Sequence, residues 1–228
     1  MNQLEKQKIT GLVSHENQKK IAKLTNKLLD RRRKYCLTKL NKELATIEEE
    51  QIDLAEKKFN AGNSKGAIKI LRSMLENNSD QAEAFCLLGL VYHVEGNLEL
   101  SISSYNRAIQ LIPDDYCALN MRGLVYLDHG NYQAAIMDFD KSIELGFTTP
   151  ENFHYRGEAK FENEDFDGAI TDFETSIVYG SDIMPRYYYL AMCYFQINKI
   201  KKGLEFVDLG LNVYPNDKEL KKLKKKYK

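Results

Sequence analysis

The apolar positions of this chain recur with a period of 34 residues. Segments 85–113, 119–147 and 153–181 align with one another without an insertion, and the same register extends towards both ends of the chain. Within each copy, apolar residues follow one another at three- and four-residue steps in two successive blocks, which is the spacing of amphipathic helices. The pattern predicts five helix–turn–helix units of equal length. They span 48–81, 82–115, 116–149, 150–183 and 184–217.

Small residues stand in two columns of this repeat, one on each helix of a unit. The first column holds Ala55, Gly89, Gly123, Gly157 and Ala191, and the second holds Ala67, Ser101, Ala135, Ala169 and Gly203. Side chains of this size let two helix backbones pack more closely than bulky residues would allow. Gly62, Gly96 and Gly130 follow the first helices, where a left-handed residue commonly ends a helix. We therefore expect each unit to be a tightly packed helix pair.

The pattern resembles the tetratricopeptide repeat. The second unit matches the family most fully, with Phe85, Leu88, Gly89, Tyr92, Tyr105, Ala108 and Pro113 at the expected columns. The third and fourth units carry Arg122 and Arg156 where the family has leucine, and the fourth also carries Lys160 at the tyrosine column. The resemblance implies an all-α fold, a right-handed α-solenoid of helix–turn–helix units whose first helices line the concave side.

Two basic segments flank the repeats. Residues 1–47 have a net charge of +8 and residues 218–228 a net charge of +6, whereas 48–217 carries −14. Apolar residues at helical steps predict a helical extension over the first segment and a cap helix over the last one. The basic amphipathic stretch 17–47 needs an apolar surface to cover. Three are available: the open face of the first unit, the same stretch of a second copy in a homo-oligomer, and the groove itself.

The sequence shows no catalytic or metal-binding motif. It has no glycine-rich phosphate loop, no HExxH and no nucleophile elbow, and its four histidines are single and far apart. The four cysteines form no CxxC pair, and neither a signal peptide nor an apolar run long enough to span a membrane is present. We expect a cytoplasmic protein that is not an enzyme and holds no cofactor or metal.

By resemblance to the family, a ligand would bind along the first helices. The predicted peptide-binding groove comprises Leu87, Leu90, Asn120, Met121, Leu124, Glu151, Tyr155, Glu158, Tyr188, Tyr189 and Met192. Its apolar and aromatic lining with interspersed carboxylates predicts a scaffold or adaptor that binds an apolar, basic helix or extended peptide. The cationic clamp with which some family members hold a C-terminal carboxylate is not expected, because only Asn120 matches it.

Nucleic-acid binding through the two basic ends is the alternative function. It would make binding steeply salt-dependent, because each neutralised phosphate releases counterions. The net charge of −14 over 48–217 argues against it, because an acidic body repels a phosphate backbone.

Overall fold

The computed structural model describes residues 45–77, 79–180 and 185–228. The predicted helical extension over 1–47 therefore lies outside the described residues, except for its last three positions. These three belong to the first described helix, which begins at Ala45.

The described ranges contain eleven α-helices and no strand. The helices are α1 (Ala45–Asn60), α2 (Ser64–Asn77), α3 (Ala82–Val94), α4 (Leu98–Leu111), α5 (Tyr116–Asp128), α6 (Tyr132–Glu144), α7 (Pro150–Glu162), α8 (Phe166–Val178), α9 (Pro185–Gln196), α10 (Ile200–Val213) and α11 (Lys218–Tyr227). The predicted all-α class is confirmed. The boundaries of the five predicted repeats stay a prediction.

The chain divides into two compact parts, each larger than a single repeat: Met1–Pro113 and Asp114–Lys228. We call these two parts the first unit and the second unit, and we call each helix pair a repeat. In the first unit, α1 packs on α2 and α3 packs on α4, and the two pairs meet through α2 and α3. The second unit repeats this arrangement with α5 to α10, and α11 packs on α10 at its end. Within the second unit, α7 also contacts α5 and α9, so the first helices of three successive pairs lie side by side.

The turn after each first helix has a residue in the left-handed region. Gly62, Gly96 and Gly130 have φ values of 80°, 78° and 78°, which confirms their predicted role. The last two pairs place Glu164 and Asn198 at the same point, with φ values of 64° and 59°. A non-glycine residue in this region pays a steric cost, so the packing of the helix pair determines the turn there.

An aromatic ring on the second helix fills the space above the small residue of the first helix. A Cβ atom added to Gly89 would lie 2.9 Å from the ring of Tyr105, and one added to Gly157 would lie 2.9 Å from the ring of Phe173. Both rings are fully buried. The close approach that the small-residue columns predict is therefore present in both units.

Ion pairs occupy the columns where the third and fourth repeats depart from the family. Arg122 on α5 donates two hydrogen bonds to Asp138 on α6, at 2.7 and 2.6 Å. In the next repeat, Arg156 donates from Nε to Asp172 at 2.8 Å, and Lys160 lies 2.8 Å from the same carboxylate. In each case the aspartate stands sixteen residues after the arginine, so the pair joins the two helices of one repeat.

The predicted cap helix is α11, and its apolar stripe is covered. Leu220 and Leu223 are buried against the last repeat, and the ring of Tyr227 stacks on that of Phe195 with centroids 3.7 Å apart. Asp217 caps the helix by accepting a hydrogen bond from the backbone N–H of Leu220 at 2.7 Å. Its lysines point away from this stripe, and most of them are exposed.

Candidate functional site

Two of the predicted groove residues belong to the core of the first unit. Leu87 and Leu90 are each 1% exposed and pack in the cluster that α1, α2 and α3 share. A ligand on the surface of α3 would not reach these side chains. Their helical spacing identified the correct helix, but the neighbouring helices cover them.

Asn120 and Met121 are also buried, and Asn120 joins two helices. Its Nδ2 donates a hydrogen bond to Oδ1 of Asn152 at 2.7 Å, which ties α5 to α7. Asn152 in turn donates to the backbone carbonyl of Phe147 at 2.8 Å. Each buried amide is thereby satisfied, so Asn120 holds the first helices together and is not free to hold a ligand.

Six predicted residues of the second unit remain partly exposed on adjoining first helices. We call them the first-helix face: Leu124, Glu151, Tyr155, Glu158, Tyr188 and Met192. Tyr155 packs with Leu124 against α6, and its hydroxyl lies in the field of Glu151 and Glu158. Tyr188 and Met192 on α9 both pack against the buried cluster that α9, α10 and α11 share.

The centre of this face is the carboxylate of Glu158. Its Oε1 accepts a hydrogen bond of 2.8 Å from the hydroxyl of Tyr189, the remaining predicted residue. The ring of Tyr189 is buried and stacks on Phe173 with centroids 5.4 Å apart, so the donor is fixed in place. His154 approaches from the same helix, with Nε2 3.9 Å from Oε2 of Glu158. The carboxylate side chain keeps 27% of its surface exposed, which leaves it open to solvent on one side.

The surroundings of Glu158 disfavour its charged form. Burial, followed by the nearby carboxylates of Asp128 and Glu162, raises the pKa of Glu158 to about 7, although the hydrogen bond from Tyr189 opposes the shift. Tyr132 on α6 lies near the same carboxylates, because burial and then the charges of Glu162 and Glu158 raise the pKa of Tyr132. We call Asp128, Glu158 and Glu162 the acidic cluster.

Among the described residues, no cation balances Glu158 or Glu162. Within the part of the chain that the structure describes, no Lys or Arg lies within ion-pair distance of either carboxylate. His154 cannot serve, because burial and the positive charge of Arg186 lower the pKa of His154 to about 3. The imidazole is therefore neutral at physiological pH, and the cluster keeps a negative charge.

Two residues near Glu158 are missing from the predicted groove. Tyr132 lies on a second helix, whereas the family resemblance points to first helices. His154 lies on the same helix as Glu158, and its ring is buried to 3% exposure near Tyr155, Phe173 and Tyr189. Chain spacing alone carries no signal for either placement, since both depend on how neighbouring helices pack.

Other chemistry finds little support among the described residues. No group of three His, Cys, Asp or Glu side chains there is arranged to hold a metal ion. Cys86, Cys117 and Cys193 are buried thiols, and burial raises the pKa of Cys193 to about 12, which removes the thiolate a nucleophile requires. Of the helices described, none has the length and apolar character needed to cross a membrane.

Two tetratricopeptide-repeat family models match the chain, one over residues 52–116 and the other over residues 118–145. No curated protein matches it in sequence. Repeats of this family form scaffolds for protein–protein interaction.

Solved structures of tetratricopeptide-repeat proteins are similar in fold. YrrB, described as a TPR protein with an unusual peptide-binding site, superposes with a TM-score of 0.71 at 18% identity, covering 81% of this chain and 98% of its own. A MamA structure beginning at residue 41, from Desulfovibrio magneticus RS-1, gives 0.70 at 12% identity and covers 75% of this chain and 97% of its own. The protein pilF of Pseudomonas aeruginosa gives 0.65 at 18% identity, with 82% and 90% covered. The repeat pattern, the helix pairs, the family models and these structures agree that the chain contains tetratricopeptide repeats and has the fold that such repeats form.

Proposed function

We propose that the first-helix face of the second unit binds an apolar, basic helix or extended peptide, and that the protein acts as a scaffold or adaptor through this contact. The observation that carries the proposal is the carboxylate of Glu158, which lies beside Tyr189 and His154, is open to solvent on one side, and has no Lys or Arg partner in the described ranges. A partly buried charge without a counter-ion is costly, and a ligand that supplies the counter-ion removes that cost.

The apolar part of the face would provide most of the affinity. Tyr155 on α7 and Tyr188 on α9 are partly exposed aromatic side chains held by their neighbours, with centroids of Tyr188 and Tyr189 5.8 Å apart. Rigid aromatic side chains lose little conformational entropy on binding and dominate many interfaces. Met192 and Leu124 extend the apolar surface to α9 and α5, so that a ligand would contact three first helices.

The carboxylates would select the ligand by its charge. Two adjoining first helices carry four carboxylates close to one another, and each acts on the pKa of Tyr155 or of Glu158. They are Asp128 on α5 and Glu151, Glu158 and Glu162 on α7. Complementary charge accelerates encounter and rejects acidic partners. The peptide-binding site described for YrrB, a protein of similar fold, is consistent with a peptide ligand here.

A random-peptide display selection against the whole chain tests the proposal. Peptides that bind should be enriched in apolar and basic residues. The Tyr155→Ala/Tyr188→Ala double variant should bind the best of them more than tenfold more weakly, because each truncation removes a candidate hot spot. We avoid replacing Tyr189, because its stacking on Phe173 makes it part of the core.

A matched control uses apolar side chains outside the face. Met137 on α6 and Val178 on α8 are 64% and 83% exposed, so the Met137→Ala/Val178→Ala variant removes as many apolar side chains from second helices. It should bind within twofold of the wild type. Circular dichroism checks that both variants are folded, and Met192→Ala serves as a milder variant of the face. Unchanged binding by the folded Tyr155/Tyr188 variant would show that the peptide binds elsewhere.

A further inference from the structure

This inference rests on the proposed function and concerns one position of the bound peptide. We propose that Glu158 forms the floor of a subsite that accepts a single basic side chain of the ligand, and that the subsite favours arginine over lysine. The claim identifies the side chain recognised at the centre of the face, which the peptide-binding proposal leaves open.

The floor of the subsite is rigid. Tyr189 holds one oxygen of Glu158 at 2.8 Å, and its ring is stacked on Phe173 and meets the edge of Phe161 with centroids 5.4 Å apart. The second oxygen, Oε2, faces His154 at 3.9 Å, which is too long for a hydrogen bond. Glu158 is therefore oriented by one strong contact and still has acceptor capacity for a ligand.

His154 lies on one side of the Glu158 carboxylate. The ring is 97% buried; the nitrogen directed at Glu158 is Nε2, whereas the nitrogen without a hydrogen-bond partner in the described ranges is Nδ1. At 3.9 Å the ring does not use the acceptor capacity of Oε2, which a donor from the ligand can use. His154 cannot supply the missing charge itself, since it is neutral beside Arg186.

Charged and titratable groups face this point from every helix that packs around it. They are Asp128 on α5, Tyr132 on α6, Glu151, His154, Tyr155 and Glu162 on α7, and Arg186, Tyr188 and Tyr189 on α9. From α8, Phe173 contributes a ring beside His154 and Tyr189, and the carboxylate of Asp172 is paired with Arg156 and Lys160. Arg186 is the one cation in this set, and it acts on His154.

The chemistry of the lining favours a guanidinium group. A planar guanidinium can donate to Glu158 and to a second carboxylate of the acidic cluster at the same time, and it stacks on aromatic rings such as Tyr155 and Tyr188. It is also less strongly hydrated than an ammonium group, so it loses less on entering a partly enclosed pocket. Lysine would satisfy the charge but would use neither the planar geometry nor the rings.

Occupation of the subsite should release a proton. In the free protein Glu158 has a pKa of about 7, so about half of the molecules carry the proton at pH 7. A cation at the carboxylate favours its charged form, so the proton leaves the carboxyl group and passes to the buffer. Because the ionised form binds, affinity should rise about tenfold between pH 6 and pH 8.

Isothermal titration calorimetry in two buffers with different ionisation enthalpies measures this release. The probe is the peptide of highest affinity from the display selection, synthesised with arginine, lysine or citrulline at its basic position. For the wild type we expect about half a proton released with arginine at pH 7 and at least tenfold weaker binding with citrulline. Lysine should fall between the two.

The protein variants assign the effect to Glu158. Glu158→Gln should weaken the arginine peptide by the same factor as citrulline does, should release no proton, and should show no further loss with citrulline. Glu164→Gln removes an exposed carboxylate from the turn after α7 and should keep both the affinity and the proton release.

Each remaining outcome overturns the inference. Binding of the citrulline peptide within twofold of the arginine peptide, or proton release that persists in Glu158→Gln, shows that Glu158 is not the subsite. If peptides bind and depend on Tyr155 and Tyr188 but not on Glu158, the subsite is wrong and the peptide-binding proposal stands. If no selected peptide binds to the first-helix face, both are wrong.

Discussion

Two carboxylates of the second unit differ in depth and in charge balance: Asp172 is buried and paired with two cations, whereas Glu158 is partly exposed and has no cationic partner among the described residues. Asp172 is 1% exposed, but Arg156 and Lys160 both lie 2.8 Å from its Oδ2. Glu158 keeps about a quarter of its surface exposed; a tyrosine hydroxyl and a neutral histidine lie beside it, and no Lys or Arg of the described residues pairs with it. The buried carboxylate of Asp172 thus supports the fold through its ion pairs, whereas the partly exposed carboxylate of Glu158 can still accept a cation.

The Arg122–Asp138 pair shows why the deep charges need their partners. Burial raises the pKa of Asp138 even though the Arg122 guanidinium opposes the shift through hydrogen bonds and charge. Without the arginine, the desolvation of this carboxylate would be unopposed. The family's leucine is therefore replaced here by a pair whose members are costly to separate.

The largest expected effect comes from removing Asp172. The variant Asp172→Ala should lower the free energy of unfolding by about 3–5 kcal/mol, because it leaves Arg156 and Lys160 partly buried and facing each other. Urea denaturation measures the change. Asp140→Ala is the matched control: it also removes a carboxylate that accepts from Arg156, at 2.7 Å, but this side chain is 46% exposed. Its loss should cost less than about 1 kcal/mol. Equal losses in the two variants would remove the distinction between deep and shallow carboxylates.

The second-largest effect is expected in the pH dependence of stability, which the pKa of Glu158 influences. Because the pKa of Glu158 rises from 4.5 to about 7 on folding, its stabilising contribution is present below pH 4.5 and is lost as the pH rises through 7. Glu158→Gln should therefore be more stable than the wild type above pH 7, by at most about 3 kcal/mol, and the difference should vanish near pH 4. Melting temperatures of the two proteins between pH 4 and pH 8 measure it.

The pKa shift of His154 makes stability depend on pH in the opposite direction. Because the wild type and Glu158→Gln both contain His154, its effect cancels in the difference between them. Its pKa falls from 6.5 to about 3 on folding, so its contribution is complete above pH 6.5 and is lost as the pH falls towards 3. Both proteins should accordingly lose stability in acid. A constant difference between them at all pH values would contradict the raised pKa of Glu158.

The smallest effect is expected for the exposed lysines of α11 that form no ion pair with a described residue. Lys221 and Lys225 are exposed, so Lys221→Glu/Lys225→Glu should change the free energy of unfolding by less than about 0.5 kcal/mol per substitution. On the same helix, Leu220→Ala should cost about 2–5 kcal/mol because Leu220 is buried against the last repeat. Thermal denaturation compares the two variants. A gel shift with DNA and RNA at low salt, repeated with the lysine variant, tests the nucleic-acid alternative; it predicts a shift that this variant weakens.

Much of the fold could be predicted from the repeat itself. The period of 34 residues, the small-residue columns and the turn glycines predicted paired helices, and the structure contains them. The ion pairs could also have been found, because Asp138 and Asp172 stand at the same repeat position, sixteen residues after the arginines. Helix propensity alone would count Gly203 and Gly210 as unfavourable residues inside α10, but close packing leaves no room for a larger residue at either position. A Cβ on Gly203 would lie 2.4 Å from the ring of Phe195, and one on Gly210 2.7 Å from Leu220.

The candidate site could be predicted only in part. The sequence by itself determined which helices belong to a unit and which residues share a helix face, because both follow from a period that the chain carries locally. Only the tertiary structure decided that Leu87 and Leu90 are covered, that Asn120 bonds to Asn152, and that no cation of the described residues lies beside Glu158. Burial and charge balance depend on which side chains of neighbouring helices lie close together, and Asp128 and Tyr189, from two other helices, both act on Glu158. Periodicity along one helix does not predict such contacts between helices.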